Sequence, residues 1–131
     1  MQNPEKTTRL VLKFNAAFSS LVGIDLILFN STWMKWMNIT NEIILPIIGL
    51  GLIPFGIYVF WVAFKKPLSL KELRSIVIMD LGWVLGCILL TASNIFGLSM
   101  LGNGLVLISA LIVGTFAFFQ HRGWKAVSSL Q

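Results

Sequence analysis

Four long apolar segments, joined by short polar connections, constrain this 131-residue chain more than any other feature. A helix that crosses a bilayer needs about 20 mostly apolar residues, and four stretches of the sequence meet that requirement. These stretches cover residues 10–29, 43–64, 75–96 and 102–120. Because so little sequence lies outside them, the pattern predicts an all-α integral membrane protein, folded as a single antiparallel bundle of four transmembrane helices over residues 1–131.

The composition favours the same class of protein. Charged residues make up 11% of the chain and hydrophobic residues 56%, whereas a soluble domain has about 25% charged residues. Such a low charge content cannot cover a water-facing surface, so we expect membrane lipids around the protein. The net charge is +5, but no basic stretch alternates with aromatic residues as in nucleic-acid-binding proteins, and we predict no nucleic-acid partner.

The lysines and arginines indicate the orientation of the bundle. Of the ten such residues, nine would lie on one side of the membrane and only Lys35 on the other. Because cytoplasmic connections carry an excess of lysine and arginine, the sequence predicts that both termini are cytoplasmic, and we expect a bacterial inner-membrane location. The nine residues are Lys6, Arg9, Lys13, Lys65, Lys66, Lys71, Arg74, Arg122 and Lys125.

The connection between the first two segments, residues 30–42, is rich in large apolar side chains. It contains Trp33, Met34, Trp36 and Met37. Tryptophans at the end of a span are typical of an interfacial anchor. The alternative is a lid over a cavity, and the sequence leaves both hypotheses open.

The first and third segments each have a face of small residues at helical spacing. Small side chains let helices approach closely inside a bilayer. We therefore expect the third helix, which also carries a polar stripe, to lie at the centre of the bundle against the small face of the first. The small faces contain Ala16, Ala17, Ser20 and Gly23 in the first helix and Gly82, Gly86 and Ser93 in the third, and the polar stripe contains Trp83, Cys87, Thr91 and Asn94.

A cluster of polar residues is predicted in the cytoplasmic half of the bundle. Charges inside a bilayer are costly, and they usually pair or serve a function. A rise of about 1.5 Å per residue places Lys13, Tyr58 and Asp80 at similar depth, with Gln120 somewhat nearer the cytoplasmic surface. We predict a buried ion pair between Lys13 and Asp80 with Tyr58 within hydrogen-bonding reach, acting either as a structural clasp or as a proton or substrate site.

Asp25 lies apart from that cluster, near the outer end of the first segment. Three hypotheses remain for its carboxylate. It reaches to the outer lipid headgroups, or it accepts a hydrogen bond from Thr91 or Asn94, or it faces a second copy of the chain. The third hypothesis predicts a homo-oligomer or a larger membrane complex.

Residue patterns that carry catalytic or metal chemistry are absent from the sequence. His121 is the only histidine and Cys87 the only cysteine, so neither has the partners of a metal or haem site. There is no nucleophile–base pattern and no phosphate-binding glycine loop. We predict no catalytic residue, no bound metal and no cofactor.

Three functions remain open at this point. The first is a non-catalytic accessory, scaffold or lipid-contacting bundle, which is the prediction because catalytic patterns are absent. The second is a small oligomeric transporter or channel that uses an Asp80 and Lys13 site. The third is a lipid-modifying enzyme at the cytoplasmic face, with Asp80 and His121 as its polar groups.

Overall fold

The computed structural model describes residues 3–130 and contains, in that range, five helices. Four of them are long and apolar enough to cross a membrane, which confirms the all-helical class and the four long segments. The fifth helix is short and lies in the connection between the first two segments. The helices are α1 (Pro4–Leu28), α2 (Asn30–Met37), α3 (Ile44–Phe64), α4 (Leu70–Ser93) and α5 (Met100–Ser128).

Most of the long helices begin or end outside the predicted apolar ranges. The helix α1 begins at Pro4, where the side-chain oxygen of Asn3 accepts a hydrogen bond from the Glu5 amide at 2.9 Å. The Ser69 hydroxyl caps α4 in the same way. Such caps satisfy backbone amides that have no partner inside the helix. Hydropathy marks only the apolar part of a helix, so the predicted ranges do not include these polar first turns.

The helix α1 packs most closely against α3. A Cβ added to Gly49 would lie 2.6 Å from the carbonyl oxygen of Gly23, and one added to Gly56 would lie 3.0 Å from the carbonyl oxygen of Ala16 and overlap the Ser20 hydroxyl. Glycine at these positions therefore lets the two backbones meet. The small face of α1 contacts α3, and the prediction that it faces the third long helix is wrong.

The helix α4 lies at the side of the bundle, and the prediction that it forms the centre is also wrong. It packs against α5, while α1 lies between α3 and α5. A Cβ added to Gly82 or Gly86 would meet nothing within 4 Å, and Ser93 is exposed. Among the described residues, Gly82 and Gly86 of α4 therefore make no close helix contact. Because α3 and α4 hardly touch, a gap separates these two helices, although α1 packs against α5. We call α1–α3 and α4–α5 the two helix pairs.

The terminal end of the bundle, where α1 begins and α5 ends, is closed by a compact core. Leu12 of α1, Val59 of α3 and Leu73 of α4 are fully buried there. Arg9 donates a hydrogen bond to the carbonyl oxygen of Ala63 at 2.7 Å. The Ala63 carbonyl lies in the last turn of α3, where no amide of the same helix is available to donate to it. The hydrogen bond from Arg9 supplies the missing donor.

The opposite end, called the α2 end, is closed by α2 and the segment before α5. The Ser99 hydroxyl donates to the carbonyl oxygen of Trp36 at 2.6 Å, and the Ser99 amide donates to that of Met37 at 3.0 Å. Asn38 ends α2 with a left-handed backbone, at φ 62°. Asparagine tolerates this conformation better than most residues. The turn ends α2 and redirects the chain toward α3.

The α1–α3 contact gives a prediction with a control in the same helix. Gly49→Ala should lower the free energy of unfolding by about 1–3 kcal/mol, the usual cost of overpacking, because the new methyl group would collide with the Gly23 carbonyl. Gly51→Ala should be close to neutral, since a Cβ there meets nothing within 4 Å. Unfolding of both variants by denaturant in the same micelle measures the difference. Equal effects would contradict the close contact.

Candidate functional site

The gap between the two helix pairs contains a cavity of about 480 Å³ at the α2 end. This volume falls in the range of about 300–1,000 Å³ that holds small molecules in proteins. Trp33 and Met37 of α2 belong to its wall, as the lid hypothesis requires. Most of the remaining wall is apolar, and it includes Leu26, Ile48, Leu90, Leu105 and Ile112.

A second cavity, of about 310 Å³, lies beside the first. The two cavities share wall residues, among them Phe18, Trp83 and Ser109, so they adjoin each other, and we call the two together the cleft. Ile47 of α3 and Met79 of α4 line the second cavity and are also exposed on the surface. The cleft therefore opens sideways between α3 and α4.

Three polar side chains from three helices meet where the second cavity ends. One carboxylate oxygen of Asp80, Oδ2, accepts hydrogen bonds from the Asn15 amide at 2.9 Å and from the Gln120 amide at 2.7 Å. The Asn15 amide also donates to the Gln120 carbonyl oxygen at 3.0 Å. All three residues are at most 2% exposed. We call this group the polar triad.

The polar triad links α1 to α4 across a space that their backbones do not close. Asn15 belongs to α1, Asp80 to α4 and Gln120 to α5, and the backbones of α1 and α4 do not contact each other. Ser19, one turn further along α1, adds a hydroxyl at 3.4 Å from the Asn15 carbonyl oxygen. Because a buried polar group without a partner is costly, these bonds fix the spacing between α1 and α4.

The structure brings together only two of the four residues predicted for the polar cluster. Asp80 and Gln120 meet in the triad, but Lys13 and Tyr58 do not reach them. The Lys13 ammonium lies over the Phe64 ring, 4.7 Å from its centre, and the Tyr58 hydroxyl donates to the Glu72 carboxylate. Within residues 3–130 the ion pair found is Arg9–Glu5, at 2.6 Å.

The predicted Lys13–Asp80 ion pair is therefore wrong. Similar depth along the helix axis does not make two side chains meet, because they must also point toward each other around the axis. Residues two apart on a helix point about 200° from each other, at about 100° per residue. Since Asn15 points toward Asp80, Lys13 points away from it.

Asn15 is the triad residue that the sequence analysis missed. A neutral amide carries no charge, so the high cost of burying a charge does not mark Asn15 in the sequence. A signal was nevertheless present, because Asn15 and Ser19 place two polar side chains four residues apart in the first apolar segment. Residues at that spacing lie on one face of a helix, and this face would have indicated the polar side of α1.

The predicted polar stripe of α4 does not act as one unit. The Trp83 indole donates to the Ser109 hydroxyl at 2.9 Å, and both residues line the cleft. Cys87 is buried in the wall of the larger cavity. The Thr91 hydroxyl is buried with no hydrogen-bond partner among the described residues. Asn94 is exposed and ends α4 with φ 52°.

Asp25 has a partner inside the chain that the sequence analysis did not consider. The Trp33 indole of α2 donates to its carboxylate at 2.8 Å, and both residues line the larger cavity. No hydrogen bond joins Asp25 to Thr91 or Asn94 in the part of the chain that the structure describes. The indole was missed because residues 30–42 were treated as a connection rather than as a helix that folds back over the bundle.

The histidine, cysteine and acidic side chains are spread over the described part of the chain. Among the described residues, no group of three or more histidine, cysteine, aspartate or glutamate side chains could hold a metal ion. His121 is exposed and stacks on Trp124, with 6.3 Å between ring centres. No protein family, no curated protein and no solved structure matches this chain.

The triad gives a prediction about coupled stabilities. Asn15→Ala and Gln120→Ala should each lower the free energy of unfolding by about 1–3 kcal/mol, because each leaves the Asp80 carboxylate with one donor fewer. The double variant should deviate from the sum by about 0.5–3 kcal/mol, as residues of one network do. Denaturant unfolding of the four proteins measures this coupling, and strictly additive losses would contradict the network.

A charge-reversal control tests whether Lys13 belongs to the network. Lys13→Asp should not restore the stability that Asp80→Lys loses, because Lys13 lies over Phe64.

Proposed function

We propose that this chain is an integral membrane protein of four spans that holds a hydrophobic molecule or a lipid chain between its two helix pairs. The observation that carries the proposal is the apolar cavity of about 480 Å³. This function belongs to the predicted class of non-catalytic, lipid-contacting bundles. The side opening between α3 and α4 would face lipid, so a hydrophobic ligand could reach the cavity without crossing water.

The surface of the four long helices supports the membrane part of the proposal. Large apolar side chains are exposed on it, for example Leu50 at 62%, Ile57 at 63% and Leu111 at 72%. Soluble monomers rarely expose extended apolar patches. In the proposed orientation the terminal end is cytoplasmic, because the chain's lysines and arginines, with Lys35 as the exception, lie toward it. The membrane would be a bacterial inner membrane.

The other predicted functions differ in how well the geometry supports them. Asp80 lines the smaller cavity, which favours the transporter hypothesis as a second candidate, although without Lys13. The enzyme hypothesis gains no support, since His121 is exposed on another face of α5 while Gln120 points into the triad. The homo-oligomer stays a prediction, and the Asp25 carboxylate that motivated it has Trp33 as a partner within the chain.

Ligand binding can be tested with a photoreactive fatty-acyl probe. In lipid nanodiscs, an aliphatic diazirine chain should label residues of the larger cavity, and excess unlabelled chain should compete for that labelling. Gly86→Phe should abolish the competed fraction, because the ring would enter the cavity at a wall position where a Cβ meets nothing within 4 Å. Gly104→Phe is the matched control, since Gly104 also has free space but lies outside the cavity wall. Labelling that never saturates would contradict the proposal.

The proposed orientation can be tested with single cysteines. In a Cys87→Ala background, Lys35→Cys should react with a membrane-impermeant maleimide from outside intact cells, and Lys66→Cys should react only after permeabilisation. Both lysines are exposed, so both sites are accessible to the reagent. The reverse pattern would overturn the orientation, and labelling of both variants from outside would overturn the four-span topology.

A further inference from the structure

The Asp80 carboxylate has no cation beside it among the described residues. Both of its hydrogen bonds come from neutral amides and reach the same oxygen, Oδ2. No hydrogen bond to Oδ1 is found in residues 3–130. Asp80 lines the smaller cavity, so this second oxygen is the acceptor that remains for a ligand.

Two basic residues of α1, Lys13 and Arg9, are engaged elsewhere. The Lys13 ammonium lies over Phe64, and the Arg9 guanidinium bonds Glu5 and the Ala63 carbonyl. A charge buried in an apolar setting is stable only when it is paired or hydrogen-bonded. The two amides supply part of that stabilisation, and a positive charge in the cleft would supply the rest.

We infer that the cleft binds a single-chain amphiphile with a cationic head, with its ammonium group at Asp80 and its chain in the larger cavity. This inference rests on the proposed function and names the ligand class. The smaller cavity, which Asp80 lines, adjoins the larger one at Trp83, and the proposed ligand would occupy both parts. An ammonium head donates hydrogen bonds and accepts none, which matches a carboxylate oxygen without a donor.

Other groups around the smaller cavity suit the same head. The hydroxyls of Ser19 and Ser109 line it, and hydroxyl oxygens accept hydrogen bonds from an ammonium. The Trp83 ring lies in its wall, and aromatic faces attract cations. An anionic head would be repelled by Asp80, and an uncharged head would leave the carboxylate without a counter-charge.

The test compares three probes of equal chain length in nanodiscs of zwitterionic lipid. The probes are decylammonium, decanol and decanoate, each brominated on the chain so that it quenches tryptophan fluorescence. The difference in quenching between the wild type and Trp83→Phe is the part that comes from Trp83, and it reports occupancy of the cleft. For the wild-type chain we expect saturable quenching by each probe that enters the cleft, with the tightest binding for decylammonium.

Two substitutions show which acidic side chain is responsible for the tighter binding of decylammonium. Asp80→Asn keeps the shape of the side chain and an acceptor for both amides, and it should weaken decylammonium binding at least ten-fold and decanol binding far less. Asp25→Asn changes the other acid in the cleft wall, and it should weaken decylammonium binding much less than Asp80→Asn does. Decanol binding by each variant shows that its cleft is intact.

The outcomes separate the inference from the proposed function. Equal decylammonium binding by wild type and Asp80→Asn, or an equal loss in Asp25→Asn, would overturn the inference, and saturable decanol binding would still support the proposed function. Absence of saturable quenching by any probe would overturn both. Should Asp80→Asn fail to fold, the wild-type ratio of decylammonium to decanol affinity decides. A ratio equal to that of partitioning into protein-free nanodiscs overturns the inference.

Discussion

A carboxylate shared between two amides links α1 and α4, whose backbones do not contact each other. Asp80 of α4 binds Asn15 of α1 through side chains alone, and Gln120 of α5 supplies the second donor. Direct contact between α1 and α4 would have closed the space between them, whereas this longer bridge keeps it open. The apolar cavity, its side opening and the polar end of the cleft all depend on that spacing. A buried polar network of this kind fixes one arrangement because partial satisfaction of its members is costly.

The sequence predicted the four long helices well, because an apolar run of sufficient length is a local property of the chain. It did not predict which helices pair. Both α1 and α4 carry small residues at helical spacing, and only the structure shows that Gly49 and Gly56 of α3 provide the complementary surface for α1. The short helix α2 was also missed, since eight residues with mixed polarity resemble a connection. Helix pairing depends on the shape of two surfaces, and one surface alone does not reveal it.

The candidate site was predicted in part for a related reason. Intramembrane charge drew attention to Asp80, and depth along the axis placed Gln120 near it. Depth alone also suggested Lys13, whose direction around α1 places it over Phe64 instead. Asn15 and Trp33 were missed because neutral donors carry no charge penalty that would mark them in a sequence. The partners of Asp25 and Asp80 are such neutral donors, so the two acids were easier to predict than the groups that bind them.

The attachment of α2 has a consequence for how a ligand would arrive. Ser99 holds the last residues of α2 through two hydrogen bonds to their carbonyl oxygens, and the Trp33 indole binds Asp25. Lifting α2 would break these bonds together, whereas the space between α3 and α4 is crossed by few contacts. In the proposed membrane setting, ligands would exchange with the lipid phase through this lateral route. Occupancy would then follow the mole fraction of the ligand in the bilayer, and a binding constant referred to aqueous concentration would change with the amount of lipid present.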